Sequence, residues 1–185
     1  MRKKIAIFAS GSGSNAQHIF EYFKDSEQVE IACIITNNSK AGVIERFRKT
    51  NIPVLIINKS ILGLDTWHTL IQEVDLIVLA GFLLKIPASF VQKFQHKIIN
   101  IHPSLLPKYG GENMYGDNVH FAVIANREAE SGITIHFVDE GYDTGKVIFQ
   151  ATCTLNELET VDSLKEKIHA LEHEHFPQVI AHLLA

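Results

Sequence analysis

The chain has 185 residues, 46% of them hydrophobic and 21% charged, with a formal net charge of −4 when histidine is neutral. That size and balance describe one globular domain with a proper core, and they give no basis for non-specific attraction to nucleic acid or to an anionic membrane, so small ligands are the expected partners. The two cysteines, Cys33 and Cys153, lie inside apolar segments and suit buried thiols in a reducing cytosol rather than a disulfide framework or a cysteine-built metal site.

The opening MRKKIAIFAS is basic like a signal peptide, but its apolar part, Ile5 to Ala9, runs at once into polar SGSGSN and is too short for an h-region. The longest apolar run, Leu76 to Leu84, is fenced by Asp75 and Lys85 and falls far short of the roughly 20 residues that span a bilayer. A soluble, cytoplasmic protein is expected.

In chain order, IAIFA (Ile5 to Ala9) predicts a strand, and Ile19, Tyr22 and Phe23, sharing one face at helical period, predict a helix after it. The pattern repeats with IACII (Ile31 to Ile35), then Val43, Ile44 and Phe47; with VLII (Val54 to Ile57), then Trp67, Leu70, Ile71 and Val74; and with LIVLAGF (Leu76 to Phe82), then Phe90, Val91 and Phe94. KIINI, Lys97 to Ile101, is the fifth strand. Runs apolar on both faces and separated by helices predict a Rossmann-like α/β fold, a mostly parallel sheet with helices on both faces. Ligands bind such sheets at the carboxyl ends of the strands.

Beyond the fifth strand the rhythm changes. A glycine-rich loop, KYGGENMYGDN (Lys108 to Asn118), leads into a short helix, and GITIHFV (Gly132 to Val138) alternates like a half-exposed strand. The turn DEGYDTG (Asp139 to Gly145) joins it to KVIFQATC (Lys146 to Cys153), predicting an antiparallel hairpin near the carboxyl terminus. The last helix, with Leu164, Ile168 and Leu171 on its apolar face, is expected to bend or break at Pro177.

Three segments carry candidate chemistry. The turn ASGSGSNAQ, Ala9 to Gln17, lies between the first strand and first helix, where outward N–H groups and the positive end of the helix dipole make a phosphate cradle. The plainer alternative is a turn that caps the helix with Ser14 or Asn15. Gly11, Gly13 and Ala16 also satisfy the dinucleotide fingerprint, but that reading requires an acidic residue about 20 positions on, at the end of the second strand. Thr36, Asn37 and Asn38 stand there instead, so a phosphate monoester is the better match. HALEH, His169 to His173, fits the pattern of an inverted zinc protease helix, but so near the carboxyl terminus it leaves little chain for a further ligand and cleft, and an interfacial helix with Glu172 facing a ligand is preferred.

The third segment is NIHPSLLPKY, Asn100 to Tyr109. Asn100 and His102 alternate on one strand and so point to one face. An Asn amide can donate to an oxyanion, a His can move a proton near neutral pH, and a carboxylate can orient the imidazole, which together describe acyl transfer. The carboxylate must come from DEGYDTG, where Asp143 opens the second strand of the hairpin and Asp139 and Glu140 read as solvated turn charges; the residues alone leave the choice open.

At this point the chain resembles the phosphoribosylglycinamide formyltransferases, the folate-dependent enzymes of purine synthesis, along nearly its whole length. The matching motifs are SGSGSN (Ser10 to Asn15), LAGFLLKIP (Leu79 to Pro87), NIHPSLLPKY, GITIHFVDEGYDTG (Gly132 to Gly145) and LEHEHFP (Leu171 to Pro177). NIHPSLLP by itself marks the wider formyltransferase superfamily. The resemblance implies a single formyltransferase domain over residues 1–185, with a phosphate-binding half to about 100, a folate and catalytic part over about 76–155 and a terminal helix over about 160–184. It implies formyl transfer from the cosubstrate 10-formyltetrahydrofolate to the amine of glycinamide ribonucleotide, without a metal, in the cytoplasm, by a monomer or homodimer with no nucleic-acid or membrane partner. Asn100 would be the oxyanion donor, His102 the proton-transfer residue and Asp143 its carboxylate partner. Gly11, Ser12, Gly13, Ser14 and Asn15 would hold the substrate phosphate, and Glu172 its glycinamide ribose portion. Leu83, Leu84, Lys85 and Ile86, with Asn100, would line the folate pocket.

The same likeness admits a formyltetrahydrofolate hydrolase, another formyltransferase, or a phosphoribosyl-binding module that has lost catalysis. Relatives acting on methionyl-tRNA carry an extra carboxyl-terminal domain and the hydrolases an extra amino-terminal one, so the length sets the expectation against both. In one place the chain departs from the pattern. Many members follow the motif with Pro-Gly and a short His-containing stretch, whereas Gly110 to His120 is longer and different, with His120 where that stretch ends. Nor is there a match for the basic residue that some relatives place near the folate glutamate tail.

Overall fold

The computed structural model describes residues 1–62, 71 and 73–185. In these the chain runs through β1 (Lys3–Phe8), α1 (Ser14–Phe23), β2 (Val29–Thr36), α2 (Gly42–Phe47), β3 (Val54–Ile56), α3 (Lys59–Leu62), β4 (Leu76–Leu79), α4 (Ala88–Lys93), β5 (Ile98–His102), α5 (Asp117–Ala125), β6 (Glu130–Phe137), β7 (Val147–Thr154) and α6 (Val161–Leu184). The strands form one sheet in the order β3, β2, β1, β4, β5, β6, β7. β1 to β5 are parallel, and β6 and β7 are antiparallel additions at one edge. No helix among the described residues is long and apolar enough to cross a membrane.

Alternation along the strands builds two cores. Ile5, Ile7, Val78, Ile99, Ile101, Ile133 and Ile135 pack with α1, α2, α5 and α6 on one face. Ala6, Phe8, Ile77, Leu79 and Ile98 pack with Leu62 of α3 and with Phe90 and Val91 of α4 on the other. Phe8, Phe90 and Phe176 are fully buried, and each such side chain contributes about 1.5–3 kcal/mol of transfer free energy.

Where the periodicity misleads, the reason is visible. Tyr22 is exposed, packing edge-on against Phe23 from outside instead of joining Ile19 in the core. Cys33 is buried but Cys153, on the outer strand β7, is only half-buried. Trp67 and Leu70 lie outside the described residues, while Ile71 and Val74 of the same expected helix are buried. α6 is capped by a reciprocal pair, Thr160 with Ser163, and continues through Pro177 to Leu184, so the expected interruption does not occur. β6 is buried from Ser131 to His136 and is not half-exposed. It is flanked by β5 and β7, and its polar members Thr134 and His136 face the loops of a cleft, not water.

Candidate active site

A cleft of about 400 Å³ runs along the carboxyl edge of the parallel strands, and every residue proposed from the sequence for phosphate, folate or catalysis lines it. At one end, β1 delivers the turn at Gly11–Gly13 to the start of α1. Gly13 holds φ at +76°, and a Cβ there would lie 2.6 Å from Cβ of Val43, so both the conformation and the close approach of α2 require glycine. No side chain caps α1: neither Ser14 nor Asn15 satisfies its first N–H groups. Those donors stand at the cleft with the positive end of the helix dipole. From the side, Val43 N–H donates to the Gly11 carbonyl, and Arg46 donates through Nε to the Ser12 carbonyl at 2.6 Å and through Nη1 to Gln17 Oε1, gripping the turn.

Asn15 points across to α6, its Nδ2 donating to Glu172 Oε2 at 2.9 Å. Glu172 is only 7% exposed. Burial pushes its carboxyl up to about 7, against the smaller opposing pull of the Asn15 hydrogen bond, so it is poised to change charge near neutrality.

The centre of the cleft is built by β5 and β6. Asn100 pairs directly with His136, and His102 with Thr134. All four lie on the face that carries Ile98, because side chains alternate along a strand. His136 Nδ1 lies 2.8 Å from the Phe137 carbonyl, which can only accept, so Nδ1 carries the hydrogen and Nε2 the lone pair. Asn100 Nδ2 donates one hydrogen to that lone pair at 3.1 Å and keeps its second for a ligand. The same argument sets His102. Nε2 lies 2.8 Å from the Tyr109 carbonyl and donates to it, leaving the Nδ1 lone pair on the side of Asp143 Oδ2, 3.5 Å away.

Burial, the largest influence on His102, lowers its pKa; the Asp143 charge and the Tyr109 carbonyl raise it by less, and the imidazole is neutral near pH 7. Burial likewise pushes the Asp143 carboxyl up, but the His136 and His102 rings, through the positive charge each carries when protonated, and the Gly111 N–H, 3.0 Å from Oδ2, outweigh it and hold the group below the usual carboxylate range. The geometry therefore presents an amide donor and a neutral imidazole, with a fixed anion to stabilise the imidazolium.

The loop after β5 is folded back by a hydroxyl. Thr134 Oγ1 donates to the Ser104 carbonyl at 2.7 Å and accepts from Leu106 N–H at 3.0 Å and from Gln150 Nε2 at 2.8 Å. Tyr109 is tied down further by its hydroxyl, which donates to Glu128. On the opposite wall, Ser10 accepts from Leu83 N–H at 2.8 Å and so holds the 83–86 segment against β1. Ile86 is buried in the core, whereas Leu83 is 56% exposed along the cleft. Lys85 Nζ sits 4.4 Å over the ring of Tyr142, joining that wall to the hairpin turn.

Asp143, half-buried with φ at +56°, is the turn carboxylate that reaches the imidazole. Asp139 and Glu140 are exposed: Asp139 Oδ1 accepts from Gly141 N–H and the Thr144 hydroxyl, and Glu140 from Gln92. On α6, His173 stacks on His18 of α1 with centroids 3.7 Å apart, packing HALEH into a helix interface. His136, Thr134 and the Tyr109 carbonyl were not anticipated, and the buried His120 was noted only as the end of the atypical loop, without a place in the site. The signal for the first two was present, since Thr134 and His136 alternate as Asn100 and His102 do, but it reads as solvent exposure until β6 is known to lie beside β5.

Residues 3–180 match the family model described as Formyl transferase. A chloroplastic phosphoribosylglycinamide formyltransferase of Vigna unguiculata is 40% identical over 97% of this chain, which spans 60% of that protein. The phosphoribosylglycinamide formyltransferase of Bacillus subtilis (strain 168) is 37% identical over 98% of this chain and 95% of its own length. Crystal structures of the enzymes from Anaplasma phagocytophilum and Bacillus halodurans superpose with TM-scores of 0.90 and 0.88, at 32% and 34% identity, covering 100% and 99% of this chain and 87% and 96% of theirs. The chain belongs to the formyl transferase family, and within it is similar to the phosphoribosylglycinamide formyltransferases.

Proposed function

We propose that the protein transfers the formyl group of 10-formyltetrahydrofolate to the amine of glycinamide ribonucleotide, in the cytoplasm and as one domain. The observation that carries this reading is that a single cleft joins the uncapped start of α1 to Asn100, His102 and Asp143. The substrate phosphate lies on the N–H groups of Gly11 to Asn15. Glu172 faces the glycinamide ribose portion, and the folate lies along Leu83 to Ile86 beside Asn100.

The amine attacks the formyl carbon and its carbonyl oxygen becomes an oxyanion. The free N–H of Asn100 meets that charge, in an orientation fixed by His136, so no reorganisation accompanies the reaction. The amine's proton passes to Nδ1 of His102, where the Asp143 carboxylate stabilises the imidazolium, and is then given to the departing folate nitrogen. Atoms balance: one C–N bond forms as another breaks, yielding formylated nucleotide and tetrahydrofolate.

Mass spectrometry of a reaction containing both substrates tests this. Formylated glycinamide ribonucleotide, with no folate deformylation when the amine is omitted, is the expected result. Amine-independent formate release would make the protein a hydrolase and overturn the reading.

A further inference from the structure

His120, in α5, is 4% exposed, lines the cleft, and has a buried Nδ1 with no hydrogen-bond partner. In the same cleft, Asn15 Oδ1 is also buried and unpartnered. Buried polar atoms in folded proteins are nearly always paired, and two orphans on residues that line one cavity signal a ligand that completes them. Nor is His120 a stray core residue. Asp117, one turn before it, is held by Lys165 of α6 at 2.8 Å, which fixes α5 against the helix that carries Glu172. His120 lines the same cleft as His102, His169 and Glu172.

Resting on the glycinamide ribonucleotide reading above, we infer that His120 is a substrate-binding residue whose Nδ1, together with Asn15 Oδ1, hydrogen-bonds the hydroxyl-rich and amide-bearing middle of that nucleotide, between its phosphate and its amine. This assigns a role to the segment where the chain departs from its relatives' pattern, since the longer loop from Gly110 and the start of α5 at Asp117 together bring His120 into the cleft. The role is binding: the ring holds the substrate in register with His102 and takes no proton from it.

The test is steady-state kinetics and calorimetric binding of glycinamide ribonucleotide to the wild type and to His120→Leu and His120→Asn. Loss of one hydrogen bond to a polar ligand is expected to raise KM and Kd for the nucleotide by roughly tenfold in His120→Leu, with the folate KM little changed. His120→Asn, whose amide reaches the position of Nδ1, should recover most of that loss. Because leucine removes an orphan polar atom from the free protein, its Tm should equal or exceed that of the wild type, whereas a merely structural histidine would lower it. Formyl transfer by the wild type with unchanged nucleotide KM in His120→Leu overturns this inference alone. A wild type that binds no glycinamide ribonucleotide overturns both it and the function it rests on.

Discussion

In the proposed reaction His102 acts as a base because it is neutral, and it is neutral because burial outweighs the neighbouring carboxylate. Its pKa in the folded protein is lowered from the ordinary 6.5, so the imidazole keeps its lone pair as the medium is acidified through that value. With both substrates saturating, kcat should hold its plateau as pH falls through 6.5 and decline only below it. In Asp143→Asn the influence that raises the pKa is gone, so the plateau drops and the acid limb moves lower still. A pH profile of kcat for the two proteins checks this; an acid limb above 6.5 in the wild type would contradict it. At this scale the sequence was informative where chemistry is rare and silent where it is shared. Asn100 and His102 stood out by alternation on a strand end, but three turn carboxylates were equivalent until the fold showed Asp143 alone turned inward at positive φ. The Tyr109 carbonyl that sets the tautomer of His102 carries no side-chain signature at all.

The element that positions His102 is the loop between β5 and α5, and it is fastened through β6. Replacing Thr134 with valine keeps the shape but strands the Leu106 N–H and the Ser104 carbonyl. Leaving such groups unpaired costs about 1–3 kcal/mol each, and in a domain of this size about 2 kcal/mol lowers Tm by roughly 4–8 °C. Thr134→Val should show that fall in a thermal melt and also a reduced kcat, because the Tyr109 carbonyl then no longer holds His102; an unchanged Tm with full turnover would disprove the linkage. The same strand explains the limits of pattern reading. GITIHFV alternates apolar with polar as a half-solvated strand does, yet its polar face is spent on the loop and on Asn100. Periodicity reports which residues avoid the hydrophobic core; it does not report whether they meet water or a site. The glycine turn before α1 was legible for the opposite reason, since Gly13 is demanded locally by its φ and by Val43.

Across the whole molecule, the five parallel strands and their helices put β1 and β5 on either side of β4, so that the turn before α1 and the tip of β5 open into one cleft. The antiparallel β6–β7 pair then swings the turn with Asp143 over that tip, and α6 returns across α1 to set Glu172 against Asn15. Adjacent-strand order is what the chain alone does not disclose: runs of isoleucine, leucine and valine announce buried strands without saying which lie side by side. The proposed transfer requires Asn100 and His102 to act on one carbon, and single-turnover formyl transfer by His102→Ala and Asn100→Ala measures that most directly. Losing an oxyanion donor costs about 10²–10³ in rate and losing the proton-transfer group about 10²–10⁴. The prediction is that His102→Ala and Asn100→Ala each fall by factors in those ranges while melting within a few degrees of the wild type, and a folded variant of either kind that transfers the formyl group at the wild-type rate would contradict it.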